Sequence, residues 1–303
     1  MATPTTVLLP PATVSTATPR KEPSRRGQGR RHRNSVWLYI VVMALMILFG
    51  IPFVWIVLTA LKTPAELAMG QDQILPAVAQ WHNFSQAVTA INFPAYAGNS
   101  FFLATLTSVL TTISSSIVGF GFARLRGPGK KVLFLILIST MMLPAILTLI
   151  PTYVMFSRVG LVGTYWPWVL WGLAGSPYLI FLFRQFFAAI PAELEDAAII
   201  DGCGYGRIYA RIFLPLSRPI IMTSLLLSFT WTWGDYLAPS LLLNINNTTL
   251  AVAITSGYLD PHGNGLVTVQ AAAAVLYLVP VMVIFLFAQR YFVSSAVGSG
   301  VKG

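Results

Sequence analysis

Acidic side chains are scarce in this sequence, and three of them open one short segment that runs to Pro215 between long hydrophobic runs. Glu193, Glu195 and Asp196 closely follow Pro191. Carboxylates in the first turn of a helix interact favourably with the positive end of its dipole, and a glycine beyond the last turn accepts the left-handed conformation that ends it. The segment therefore predicts a short, exposed helix whose chemistry is docking to another surface.

Four residues share one face of this helix at i, i+3, i+4, i+7 spacing: Leu194, Ala197, Ala198 and Asp201. Alanines on a contact face let a partner surface approach closely. Beyond Gly202 we predict a second short helix over Tyr205 to Phe213, which Pro215 ends. A helix lying on lipid headgroups is the alternative, but three acids would then face an anionic leaflet.

The rest of the chain offers no cluster of acids, bases and nucleophiles. The three histidines are too scattered for a metal site, and the single Cys203 excludes an internal disulfide. Asp235 stands nearly alone within its hydrophobic run, whereas a membrane-embedded enzyme would need several such groups at similar depth. We therefore predict neither catalytic nor metal-binding residues.

The composition is that of a membrane-embedded protein. The 303 residues are 56% hydrophobic and only 9% charged, with a mean hydropathy of +0.73, whereas soluble domains carry about 25% charged residues. Runs of about 20 apolar residues are long enough to cross a membrane. We predict an all-α, polytopic membrane protein with six transmembrane helices: Val36–Leu61, Ser100–Ala123, Val132–Tyr153, Tyr165–Phe187, Ile220–Leu243 and Val267–Ala288.

The basic residues orient these spans. Seventeen of the nineteen Lys and Arg residues fall on one side, and only Lys62 and Arg158 fall on the other. By the positive-inside rule, both the N- and C-termini are cytoplasmic, and so is the acidic segment between spans four and five. Residues 1–35 are predicted to form a disordered basic cytoplasmic tail that faces lipid and does not bind nucleic acid.

Several predicted spans contain residues that interrupt or crowd a helix. Span two carries seven small or hydroxylated residues, and two other spans carry helix-breaking ones: Pro144 and Pro151 in span three, and Gly172, Gly175 and Pro177 in span four. Broken helices are tolerated where neighbours or water satisfy the freed backbone groups, and small residues permit close helix contact. A bundle around a passage and simple tight packing both explain this pattern.

At the acidic segment the chain resembles the EAA loop of ATP-binding-cassette importer permeases. That motif is E-A-A, three residues, G, nine residues and I-x-L-P. Here Asp196-Ala197-Ala198, Gly202 and Ile212-Phe213-Leu214-Pro215 have the same spacing, with Asp196 where the family usually has Glu. The loop with its flanks spans residues 188–218, and the helix within it is identified as an EAA coupling helix.

The resemblance extends to the maltose-type carbohydrate permeases over essentially everything after the basic tail, so residues 36–303 are assigned to a transmembrane permease domain. The matching segments are Asn99-Ser100, Gly121-Phe122-Ala123-Arg124, Pro128-Gly129-Lys130, Pro144, Pro151, Trp233-Gly234-Asp235-Tyr236 and Gly300-Val301-Lys302-Gly303.

The resemblance implies a division of labour. The partners are a homologous second permease subunit, two cytoplasmic ATPase subunits that bind the ATP and magnesium, and an extracytoplasmic solute-binding protein. The implied ATPase-coupling residues are Glu193, Asp196, Ala197, Ala198 and Gly202. This chain then has no cofactor and is not an enzyme. The nearest approach to a phosphate-binding loop, residues 124–131, has Arg124 where the first glycine belongs and Lys131 in place of Ser or Thr.

A bacterial plasma (inner) membrane location and a sugar or oligosaccharide substrate follow from the same resemblance. The candidates for the substrate path are Trp231, Trp233, Asp235 and Tyr236, because aromatic faces beside a carboxylate suit a sugar. The same residues are equally typical of an interfacial aromatic belt. Alternative functions are a permease for glycerol phosphate or another polyol, and an ion-coupled secondary transporter, which would leave the EAA helix unexplained.

Overall fold

The computed structural model describes residues 26–69, 74–260 and 262–299. The chain divides into two units, Met1–Phe53 and Val54–Gly303, and the packing below is that of the second unit. Of the predicted disordered tail, residues 1–25 lie outside the described residues. The chain is helical from Arg26, so the boundary predicted at residue 35 falls inside a helix. Once an apolar helix is nucleated, its extension into neighbouring residues costs little.

Helices make up nearly all the regular structure of the described residues, as the sequence predicts. In chain order they are α1 (Arg26–Ala60), α2 (Pro64–Ala68), α3 (His82–Thr89), α4 (Phe93–Arg124), α5 (Lys130–Thr140), α6 (Ala145–Arg158), α7 (Trp166–Ala174), α8 (Pro177–Ala189), α9 (Ala192–Ile200), α10 (Tyr205–Ile208), a π-helical turn (Tyr209–Phe213), α11 (Leu214–Leu216), α12 (Arg218–Trp233), α13 (Leu237–Leu242), α14 (Leu250–Ser256) and α15 (Val267–Ser299).

Four stretches are long and apolar enough to cross a membrane unaided: Trp37–Ala60, Phe93–Arg124, Trp166–Ala189 and Val267–Phe287. Two further helix pairs qualify only when taken together. They are bent by 98° between α5 and α6, and by 80° between Tyr205–Leu216 and α12. The described residues therefore hold four to six candidate spans, where the sequence predicts six.

The third, fourth and fifth of the predicted spans are broken. Span three bends where Pro144 precedes α6, but Pro151 lies inside α6, so the prediction that it interrupts the span is wrong. The predicted fifth span, residues 220–243, stops as a continuous helix at Trp233, and α13 begins at Leu237. Gly234 ends α12, and the backbone N–H of Ala238 turns to the Asp235 carboxylate instead of continuing the helix.

In span four, the predicted break falls between α7 and α8. Gly175 has φ +76° there, and a side chain at this position would lie 3.1 Å from the Ser115 hydroxyl oxygen. That hydroxyl accepts a hydrogen bond from the Ser176 N–H at 3.0 Å, so α4 satisfies a backbone group that the break frees. Gly172 remains inside α7, in close contact with Leu110 of α4.

Helix α4 is central to the second unit and packs against α7, α8, α12 and α14. Most of its buried residues are small or hydroxylated, among them Ser108, Thr111, Thr112, Ser115, Ser116 and Gly119. The Thr112 hydroxyl lies 3.0 Å from that of Ser224 on α12, and a Cβ on Gly119 would lie only 2.6 Å from the Cβ of Phe183. Close helix packing thus accounts for the small residues of span two.

One apolar cluster lies beside the acidic segment. It joins α4, α8, α9 and the chain that follows α9 through six buried residues: Phe120, Phe183, Phe187, Ala198, Ile208 and Phe213. The rings of Phe120, Phe187 and Phe213 meet edge to face, with centroids 5.1 to 5.9 Å apart. We call these six residues the ring cluster. It holds the acidic segment against the bundle.

Candidate functional site

Helix α9 is the short helix predicted in the acidic segment. It begins after Pro191 and carries Glu193 and Glu195 in its first turn. It ends at Ile200, and Gly202, two residues beyond, has φ +77°. The N–H of Cys203 donates to Ala198 O at 2.9 Å, and that of Gly202 donates to Ile199 O at 3.0 Å. This pair of bonds defines a Schellman motif, so the glycine fixes where the chain leaves the helix.

Arg124, the last residue of α4, anchors α9. Its guanidinium forms an ion pair with Glu195, with Nη1 and Oε2 3.4 Å apart, and each side chain is only 11% exposed. Nη2 also donates to the backbone carbonyls of Phe187 and Ile190 at the end of α8. The guanidinium carbon lies 4.9 Å from the centre of the Phe213 ring. One cation therefore joins α4, α8, α9 and the segment that follows.

The prediction of which face of α9 contacts a partner is wrong in part. Glu195 and Ala198 turn inward, so Ala198 packs in the ring cluster and cannot meet a partner directly. Leu194 and Asp201 are exposed as well, at the edge of the outward face. The outward face of α9 consists of four exposed residues at i, i+3, i+4, i+7 spacing: Glu193, Asp196, Ala197 and Ile200. Ile200 is 86% exposed.

Three of the five predicted coupling residues therefore share the outward face. Gly202 is also exposed, but it sets the turn and carries no side chain. Sequence reasoning missed Ile200 as a contact residue and Glu195 as the buried anchor. The periodicity of the outward face was a usable signal for Ile200. The ion pair had no local signal, because its partner lies on another helix.

The second short helix is not the regular helix predicted over Tyr205 to Phe213. After α10 the chain widens into the π-helical turn, in which the N–H of Leu214 bonds to Tyr209 O. Pro215 has no N–H to complete an α-helical ladder, and a π turn shifts the pairing around it. Pro215 lies within α11, so the prediction that it ends the helix is wrong. Ser217 follows α11, and its hydroxyl caps Phe213 O at 2.6 Å.

The four candidates for the substrate path are not brought together. Trp233 is buried, with its ring stacked 5.8 Å from Phe229 and 5.3 Å from Tyr277, so it belongs to the core. Trp231 is 48% exposed and packs edge to face with Tyr178. Tyr236 is 40% exposed.

Asp235 alone of the four lines a cavity of about 290 Å³ between α6, α7 and α13. Thr148, Thr152 and Trp171 also line it. The two threonines are one turn apart on α6, and each hydroxyl donates to a carbonyl of its own helix. Their oxygens therefore keep lone pairs for a ligand's hydroxyl groups. Sequence reasoning missed these residues, although their i, i+4 spacing was visible.

Comparison with known proteins agrees with this architecture. A family model described as binding-protein-dependent transport system inner membrane component matches residues 115–297. The arabinooligosaccharides transport system permease protein AraQ of Bacillus subtilis is 31% identical over 277 residues, which cover 90% of this chain and 96% of that protein. The maltose/maltodextrin transport system permease protein MalG of Vibrio vulnificus is 31% identical over 294 residues, covering 91% and 99%.

A solved structure has the same fold. A chain of a bacterial ABC transporter involved in the import of the acidic polysaccharide alginate superposes with a TM-score of 0.72 at 22% identity, over 90% of this chain and all of that one. The resemblance to sugar permeases noted in the sequence is thus confirmed. The chain belongs to the family of binding-protein-dependent transport system inner membrane components, as a multi-pass ABC transporter permease of the bacterial inner membrane.

Proposed function

We propose that this chain forms half of the translocation pathway of an ATP-driven importer for a sugar or oligosaccharide. A homologous second permease would supply the other half, two cytoplasmic ATPase subunits would supply the energy, and an extracytoplasmic binding protein would deliver the solute. The observation that carries this proposal is α9: a firmly anchored helix that displays acidic and apolar side chains outward.

The outward face of α9 is suited to docking in a cleft of an ATPase. Ile200 presents a large apolar side chain at the end of the helix, and Asp196 and Glu193 add negative charge about one and two turns before it. Desolvated apolar anchors with charged neighbours are typical of energetically important contacts. ATP and magnesium belong to the partner, and this chain contributes the surface that the partner moves.

The anchor explains how a movement of α9 would reach the spans. Arg124 ends α4 and holds both the last carbonyls of α8 and the Glu195 carboxylate. The ring cluster packs against the same three helices. Since densely packed side chains transmit displacement instead of absorbing it, closure of an ATPase around α9 would tilt α4 and α8 with it.

The orientation follows from charge. Loops on the side of α9 carry most of the Lys and Arg residues, which supports cytoplasmic N- and C-termini and a cytoplasmic coupling loop over residues 188–218. Residues 1–25 and 300–303 lie outside the described structure. The regions 64–98 and 244–265, on the other side, remain available to the binding protein.

The cavity at Asp235 supports a sugar substrate over a glycerol phosphate. A carboxylate with threonine oxygens and a tryptophan face offers hydrogen bonds and stacking to a neutral, hydroxyl-rich ligand. The same carboxylate would repel a phosphate group. The named relatives, a permease for arabinooligosaccharides and one for maltose and maltodextrin, support the same class.

Cysteine cross-linking tests the docking. In a Cys203→Ser background, Ile200→Cys should cross-link to the ATPase subunit in the assembled transporter. Ala198→Cys, two residues away but turned inward, should not. Equal cross-linking at both positions, or none at Ile200→Cys in a complex that still transports sugar, would refute the assigned face. Uptake by the purified chain without an ATPase would refute the proposed function itself.

A further inference from the structure

The loop between α4 and α5 opens onto a second, larger cavity that plays no part in the proposed transport cycle. It measures about 1020 Å³ and lies between the end of α4, the start of α5 and α8. Four cationic residues line it: Arg126, Lys130, Lys131 and Arg184. None of its described lining residues is acidic. We call this the basic cavity.

The charges of the basic cavity are not neutralised within the described residues, where none of these four cations forms an ion pair. The Arg184 guanidinium lies 4.2 Å above the Phe134 ring, which orients it but leaves its charge in place. The Lys130 ammonium donates to the carbonyl of Leu125 beyond the end of α4. Arg124, two residues before Arg126, differs because Glu195 pairs with it. Four close cations without a carboxylate attract an anion.

The other walls of the basic cavity are apolar. Phe122 and Phe134 line it, and so do Val132 and Leu135 of α5, which are 60% and 65% exposed. Helix α5 belongs to a candidate membrane span, so these side chains lie where hydrocarbon is available. A ligand that contacts both the cations and the apolar side chains needs an anionic head and an apolar tail. Free phosphate would leave the apolar lining residues without a contact.

We propose that the basic cavity binds one anionic phospholipid of the membrane. Arg126, Lys131 and Arg184 would hold its phosphate, and its acyl chains would follow Val132 and Leu135. Basic pockets between transmembrane helices recognise such headgroups. The site lies in the cytoplasmic leaflet, and that placement rests on the orientation given under the proposed function.

Native mass spectrometry of the assembled transporter tests this binding. The complex is equilibrated in mixed micelles with equal amounts of phosphatidylglycerol and phosphatidylcholine of the same acyl chains. The wild type should retain phosphatidylglycerol preferentially, one molecule per copy of this chain. Because each cation near an anionic surface contributes about 1 kcal/mol, Arg126→Gln with Arg184→Gln should weaken that retention roughly thirtyfold.

Two further variants separate the site from general charge. Arg207→Gln with Arg211→Gln removes the same charge from exposed residues of the coupling loop, and it should retain the lipid. Arg126→Gln with Lys131→Gln changes only exposed side chains, so it should lose the lipid without disturbing packing.

The proposal is overturned if the wild type retains phosphatidylglycerol and phosphatidylcholine equally; this would happen if the partner permease filled the cavity and no lipid bound there. It is also overturned if the control pair of substitutions loses as much phosphatidylglycerol as the two cavity pairs. Displacement by millimolar inorganic phosphate at constant ionic strength would also overturn it, in favour of a phosphate site. A complex that transports sugar but retains no phosphatidylglycerol refutes only the lipid site. A chain that retains the lipid but binds no ATPase refutes only the proposed function.

Discussion

Replacing Glu195 with glutamine should release α9 from its anchor while leaving the bundle folded. The ion pair with Arg124 spans 3.4 Å, which at an effective dielectric of about 20 corresponds to roughly 5 kcal/mol of Coulomb energy. Solvent reaches about a tenth of each side chain, and the glutamine amide oxygen keeps a partial negative charge toward the guanidinium. We therefore expect a net loss of about 2 kcal/mol, below that of a fully buried pair.

Hydrogen–deuterium exchange of the transporter before the ATPase is added measures this loss locally. An opening free energy lower by about 2 kcal/mol raises the exchange rate of protected amides roughly thirtyfold. The amides of Gly202 and Cys203, which bond back to α9, should show this change. Sugar transported per ATP hydrolysed should fall as well, because a loosened α9 moves without carrying α4 and α8.

Glu193→Gln is the matched control. It makes the same substitution on the same helix, at an exposed residue, and should leave exchange unchanged when both variants are compared before the ATPase is added, since Glu193 lies on the docking face. The anchor hypothesis is wrong if Glu195→Gln and Glu193→Gln behave alike. It is also wrong if Glu195→Gln accelerates exchange throughout α4 and α8, since the residue would then hold the whole bundle. Exchanging the two charges between Arg124 and Glu195 should not restore the wild type, because a glutamate at position 124 cannot donate to the carbonyls of α8.

Three other perturbations follow from the described geometry. Gly202→Val forces a β-branched residue to φ +77°, at a cost of about 1 to 2 kcal/mol, and should raise ATP hydrolysis without uptake in proteoliposomes. Gly119→Ala places a methyl group 2.6 Å from Phe183 Cβ and should lower the midpoint of thermal unfolding in detergent. Hydrogen bonds from Asn264 and from the His262 N–H lower the pKa of Asp260. The carboxylate therefore stabilises the turn before α15 at pH above its unfolded pKa, and this effect is lost as the pH falls through its folded pKa. The protection of the Asn264 amide against exchange, relative to its intrinsic rate at each pH, should therefore fall only in acid.

Each of these three predictions has a matched control substitution elsewhere in the chain or at the same residue. Gly204 has φ −75°, which valine adopts readily, so Gly204→Val should keep hydrolysis coupled to uptake. A methyl group on Gly121 meets only open space and the Leu125 side chain at 3.9 Å, and Gly121→Ala should keep or raise the unfolding midpoint. Asp260→Asn should remove the acid dependence at Asn264. Equal behaviour of variant and control would contradict the corresponding explanation.

Local chemistry was enough to predict α9, and distant contacts decided which way it faces. The acids after Pro191 and the glycine at 202 act within one helix, so their pattern is readable from the sequence. Glu195 turns inward because it forms an ion pair with Arg124, which lies at the end of another helix, α4. Trp233 was similarly misplaced on the substrate path, because the Tyr277 side chain that covers it comes from α15. The break of span five at Gly234 also depends on where Asp235 finds a backbone N–H.

The π-helical turn after α10 makes the packing of this region depend on its number of residues. Five residues, Tyr209–Phe213, occupy a turn wide enough to bring Phe213 under Arg124. The wide turn takes up one residue that a regular α-helix could hold only by rotating everything downstream by about 100°, which would carry Phe213 away from the guanidinium. A designer who grafts this loop onto another permease must therefore transfer the π turn with it. Moving the extra residue into a regular helix beside the turn would disconnect the docking helix even if every side chain on its exposed surface were kept.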